Sequence, residues 1–129
     1  MQIRALHHVQ LAMPRGQEKA ARNFYQGMLG LSEVAKPSIL AARGGVWFAR
    51  GQVRVHLGVE DGFQPARKAH PAFEVSHVLA LLDHLEAAGV PVTRDQNLPG
   101  FERGYIEDPF GNRIELLEPK GAAATKESH

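Results

Sequence analysis

The chain alternates apolar and polar residues over short runs, and the runs come in two matching series. In Leu6-His7-His8-Val9-Gln10-Leu11-Ala12-Met13, the residues Val9, Leu11 and Met13 fall on one side of an extended strand that stops at Pro14. From Gln17 to Leu29 the period changes. Ala20, Ala21, Phe24 and Met28 recur at helical spacing, and Gly30 suits the position just past a helix end. A strand-rich stretch from Ile39 to Val59 follows, with a hairpin of Val46 to Ala49 and Val53 to Val59 around Arg50-Gly51-Gln52.

The series then restarts. His70-Pro71-Ala72-Phe73-Glu74-Val75 reads as a strand, and Ser76 as the N-cap of a helix carrying Val78, Leu81, Leu82 and Leu85 and ended by Gly89. A second strand-rich stretch closes on a hairpin of Gly104 to Glu107 and Arg113 to Glu118. Its turn, Asp108-Pro109-Phe110-Gly111-Asn112, is built of turn formers. His8 and His70, Gly30 and Gly89, and His56 and Glu115 all stand about 60 residues apart. A fixed offset between whole series predicts a duplicated strand–helix–three-strand unit. Module one is expected over residues 5–59 and module two over 69–119. Together they form one domain over residues 1–119, with Glu60 to Ala69 linking them and a disordered tail over 120–129.

Strand parity sorts the polar residues. Val53, Val55, Leu57 and Val59 take the helix side, so Arg54, His56 and Gly58 face away. By the same rule His8 and Gln10, His70 and Glu74, Glu115, and Arg103, Tyr105 and Glu107 lie on open faces. His7 has the opposite parity and is expected in the core; His77 and His84 lie on the second helix and are expected to face solvent. An open sheet face tolerates polar residues of any kind. Imidazoles and a carboxylate at repeat-equivalent positions are more particular, because together they make a divalent-metal donor set.

Composition narrows the chemistry. The 129 residues carry no cysteine, so thiolate metal sites, disulfides and a cysteine nucleophile are excluded. The net charge is +1 with no basic block, which gives no footprint for nucleic acid or a membrane surface. With 43% hydrophobic and 22% charged residues, a packed globular domain is expected. Met1-Gln2-Ile3-Arg4 has no apolar signal-peptide region, and no apolar run reaches the roughly 20 residues of a spanning helix. Cytoplasmic placement is the expectation.

These residues resemble the vicinal-oxygen-chelate superfamily, which includes glyoxalase I, fosfomycin-resistance transferases, extradiol dioxygenases and bleomycin-binding proteins. The resemblance spans residues 5–119 and rests on Leu6 to Ala12, Phe24 to Leu31, Ala69 to Phe73 and, most specifically, Asp108-Pro109-Phe110-Gly111-Asn112-Arg113-Ile114-Glu115-Leu116. It implies an α+β fold of two βαβββ modules forming a half-open mixed β-barrel around a metal site, helices outside. It implies His8, His70 and Glu115 as ligands of one divalent ion (Ni, Zn, Mn or Fe). It also implies a small oxygenated substrate, and a homodimer with sites shared between chains, although the linker Glu60 to Ala69 equally permits the two modules of one chain to pair with each other.

Glyoxalase I has a Glu where His56 stands, so His56 is open to a role as fourth ligand, general base or substrate hydrogen-bonder. Leu98 to Arg103 has no counterpart of the fosfomycin transferases' Ser- and Gly-rich loop. The catalytic candidates are His56 and Glu115. Arg103, Tyr105 and Trp47 are the substrate-binding candidates; Arg103 is equally suited to a surface ion pair, and an ordinary core position is the stronger expectation for Trp47. The expected activity is a glyoxalase-like lyase, isomerase or transferase. Alternatives are an Fe(II) extradiol-type dioxygenase and a non-catalytic antibiotic-binding protein.

Overall fold

The structure, a computed structural model, describes residues 1–121. The expected tail falls, beyond Gly121, outside the described residues. The chain divides into two compact units: unit one holds Met1–Ala66 with Pro109–Asn112, and unit two holds Arg67–Asp108 with the residues from Arg113 onward. Among the described residues no helix is long and apolar enough to cross a membrane.

Unit one contains β1 (Val9–Met13), α1 (Glu18–Ala21), β2 (Ser32–Val34), α2 (Ser38–Ala41), β3 (Val46–Arg50) and β4 (Val53–Val59). Its sheet runs β1-β4-β3-β2, with β1 parallel to β4 and the other pairs antiparallel. Unit two contains β5 (Ala72–Glu74), α3 (Val78–Ala87), β6 (Val92–Asp95), β7 (Phe101–Glu107) and β8 (Arg113–Pro119). Its sheet runs β5-β8-β7-β6, with β5 parallel to β8. The sequence repeat is therefore a repeat of topology. The fold is α+β, built on two four-stranded mixed sheets, neither of which closes on itself among the described residues.

Parity holds at Val55, Leu57, Ile106, Ile114 and Leu116, but Val53, expected on the helix side, is 40% exposed at the start of its strand. Val55 and Leu57 are fully buried in unit one with Met13, Phe48 and Tyr25. In unit two Ile106, Ile114 and Leu116 are buried with Leu82 and Leu85 of α3. A Cβ at Gly104 would stand 2.7 Å from Leu82 Cδ1, so a larger residue there would make the buried leucine shift.

Four other expectations change. The first helix is α-helical only to Ala21 and continues as a π-helical turn over Arg22–Gln26, with Gly27 N–H donating to Arg22 O. A wider turn rotates less per residue, and the consecutive Phe24 and Tyr25 are both buried. Ile39, expected to open a strand-rich stretch, lies in α2, which follows Pro37; its side chain is exposed and has no sheet to join. Ser76 does not cap α3. His77 holds the cap position at φ 56°, and the carboxylate of Glu118 accepts from the N–H groups of His77 and Val78. His7 is exposed rather than core, because it precedes β1 and the strand parity does not reach it.

Candidate functional site

Each unit assembles a polar group on the sheet face opposite its helix. In unit two, register places Tyr105 directly opposite Glu115, and Ala72 opposite Glu115 on its other side. Glu115 is 8% exposed. Its Oε1 lies 3.0 Å from His70 Nε2, and its Oε2 accepts from Arg103 Nη1 at 3.2 Å. Arg103 also reaches Asp95 Oδ2 at 3.3 Å, while its buried Nε–H has no partner among the described residues. The Tyr105 ring meets His70 edge-on and lies against the guanidinium groups of Arg103 and Arg113.

The second nitrogen of His70 limits its protonation. Nδ1 is 2.8 Å from the carbonyl oxygen of Lys68, which only accepts, so Nδ1 carries the proton. Nε2 then meets Glu115 either as an imidazolium donor or as a lone pair with a cation between the two atoms. Metal-binding imidazoles characteristically donate their other N–H to a carbonyl or carboxylate in this way.

In unit one, His8 precedes β1 and is exposed. Its Nδ1 lies 3.0 Å from His7 Nδ1, a contact that needs one shared proton and leaves His8 Nε2 unengaged by it. His56 is buried, with Trp47 stacked on it at 3.8 Å and His8 stacked at 4.1 Å. Burial, then the neighbouring His8, His7 and Lys36, holds the His56 pKa below the usual imidazole value, so the ring is kept neutral. Trp47 is thus on the polar face and not in the core, because its partner across β3–β4 is His56.

The structure brings His70, Glu115, Arg103 and Tyr105 together in unit two, and His8, His56 and Trp47 in unit one. Among the described residues no three His, Asp or Glu side chains form a ready metal-binding group. The donors nevertheless fit a divalent ion in kind: two imidazoles whose Nδ1 atoms are occupied, and one carboxylate. Sequence reasoning missed Asp95, which faces Arg103 across β6–β7, because β6 itself was not resolved from the pattern. It also missed the Lys68 carbonyl, which no side-chain pattern reports.

The chain matches the Glyoxalase/Bleomycin resistance protein/Dioxygenase superfamily over residues 5–116. No curated protein matches. Among solved structures it is similar to a glyoxalase family protein from Bacillus anthracis, with 44% identity, a TM-score of 0.88, and coverage of 92% of this chain and 98% of that one. It is similar in fold to a genomically encoded fosfomycin resistance protein from Listeria monocytogenes (18% identity, TM-score 0.72, coverage 91% and 94%). An antibiotic binding protein from a Streptomyces species is also similar in fold (22% identity, TM-score 0.70, coverage 92% and 99%).

Proposed function

Because the chain belongs to the Glyoxalase/Bleomycin resistance protein/Dioxygenase superfamily, we propose that it is a glyoxalase-like, divalent-metal-dependent lyase, isomerase or transferase acting on a small oxygenated substrate. The observation that carries this reading is the approach of His70 Nε2 to Glu115 Oε1 at 3.0 Å, with His70 Nδ1 already committed to a carbonyl. His8, His70 and Glu115 would hold one ion of Ni, Zn, Mn or Fe. Bound there, the ion supplies a Lewis acid for adjacent substrate oxygens.

The remaining roles belong to the chain. Arg103 holds the second oxygen of Glu115, so that one oxygen is presented and the carboxylate cannot rotate. Asp95 offsets the charge of Arg103. Tyr105 packs edge-on against His70 and limits its swing. His56, kept neutral, is the group of the set able to accept a proton at its ring edge, since both ring faces are covered.

We further propose a homodimer in which His8 of one protomer joins His70 and Glu115 of the partner subunit. Support comes from the division of the donors between two separately compact units, His8 in one and His70 and Glu115 in the other.

A second reading follows from the Arg103–Glu115 ion pair, which already satisfies the carboxylate. On that reading the protein binds a small molecule without a metal. Elemental analysis of protein purified without an affinity tag, followed by turnover assays on substrates with adjacent oxygens before and after chelator treatment, separates the two. Stoichiometric metal and chelator-sensitive turnover support the enzyme. Metal-free protein that cannot be reconstituted supports the binder.

A further inference from the structure

We propose that Trp47 is a positioning residue for the imidazole of His8, acting through His56. The proposal rests on the metal-binding reading above and specifies how one of its ligands is oriented.

Trp47 and His56 are direct partners across the β3–β4 ladder, so their side chains leave the same face of the sheet. Their rings are 3.8 Å apart and parallel within 3°. The other face of His56 meets His8 at 4.1 Å and 18°. Three rings from three segments therefore form one column: indole, imidazole, imidazole.

The column matters because His8 lacks the usual restraints. It lies before β1, whose register pairs with β4 begin at Val9, and it is exposed. No strand ladder fixes its position. Its ring is held on one face by His56 and at its edge by His7, at 5.3 Å and 86°. An imidazole donates along a lone pair in its own ring plane, so a ligand histidine works only if that plane is fixed. His56 fixes it from one face, and Trp47 backs His56. Without the indole, one face of His56 is uncovered and the ring can tilt, carrying the support for His8 with it. A stacked aromatic pair is worth about a 2- to 12-fold change in an equilibrium constant.

This role is separate from proton transfer. Trp47 has no group to exchange, and its effect passes through two ring contacts.

Trp47 is the single tryptophan of the chain, so its emission reports on the column alone. The probe is Zn²⁺, whose filled d shell brings no redox chemistry of its own. Wild-type protein, Trp47→Leu, Trp47→Phe and His8→Ala are titrated with Zn²⁺ by calorimetry, and the tryptophan-containing proteins also by fluorescence. The expected result is a saturable emission change in wild type, with the calorimetric midpoint, that is absent in His8→Ala. Trp47→Leu should bind about 2- to 12-fold more weakly, and Trp47→Phe, which keeps a flat ring, should stay near wild type. Zn²⁺ binding with a silent indole, or a folded Trp47→Leu that binds as tightly as wild type, overturns the proposal and leaves the metal site standing. If Trp47→Leu does not fold, the wild-type emission titration decides. Wild-type protein that binds no Zn²⁺ overturns the metal reading itself, and this inference with it.

Discussion

His70 Nε2 stands 3.0 Å from Glu115 Oε1 although His70 Nδ1 is already bonded to the carbonyl of Lys68. Two lone-pair atoms at that distance repel unless a proton or a metal ion lies between them. The pair therefore shares a proton, or holds a metal ion on the reading proposed above.

The lowered pKa of His56 makes a prediction about acid stability. The unfolded chain takes up the proton more readily than the folded one, so the stability His56 contributes is fully present above the reference value of about 6.5. It is lost as pH falls from there through the lowered folded value. In the metal-free protein, the urea midpoint of wild type should fall relative to that of His56→Gln as pH drops through this window. Parallel curves would show that His56 charges as easily folded as unfolded.

Glu118 is predicted to be the cap of α3. Its two carboxylate bonds, at 3.0 and 3.1 Å, satisfy donors at the positive end of the helix. Glu118→Ala should cost about 1–2 kcal/mol in chemical unfolding, as loss of a good cap does, whereas Ser76→Ala should cost little. A larger loss from Ser76→Ala would restore the serine as the cap.

That contrast shows what the sequence could and could not reveal. Alternation and helical spacing report which face of an element is apolar, so the duplicated topology and the placement of His56, Glu115, Arg103 and Tyr105 were legible. The Glu118 cap was not, because it comes from a strand 40 positions from Val78. Trp47 was misplaced for a related reason. A core position was the stronger expectation for it, but its register with His56 puts it on the polar face. The grouping of His8, His70 and Glu115 as one site came from resemblance and not from local spacing.

Asn112 explains why the Asp108–Asn112 turn has its sequence. The side chain is fully buried; its Nδ2 donates to Ala12 O at 2.9 Å and its Oδ1 accepts from Ala66 N–H at 3.0 Å. Asn112→Ala leaves two backbone groups without their partner and should cost about 2–4 kcal/mol. Asn112→Asp keeps the acceptor but loses the donor and sets a fully buried carboxylate against the Ala12 carbonyl, so it should cost at least as much as Asn112→Ala. Thermal melts in which Asn112→Ala matches wild type would argue that shape, not hydrogen bonding, holds the turn.

Sharing of sites between chains is tested by complementation. His8→Ala and Glu115→Ala chains, each unable to bind metal alone, are mixed under conditions of demonstrated subunit exchange. In a shared-site homodimer each mixed pair carries one doubly damaged and one intact site, so partial metal binding returns. No return would place all three ligands in one chain.

The central claim is that His8, His70 and Glu115 hold one divalent ion. Calorimetric titration of metal-free protein with Zn²⁺, beside Glu115→Gln, addresses it most directly. The account predicts about one ion per chain, with affinity falling as acid protonates imidazole. It also predicts a loss in Glu115→Gln larger than the roughly 10- to 100-fold that removal of an outer partner costs. Unchanged affinity in Glu115→Gln, or no saturable binding by the wild-type protein, would contradict it.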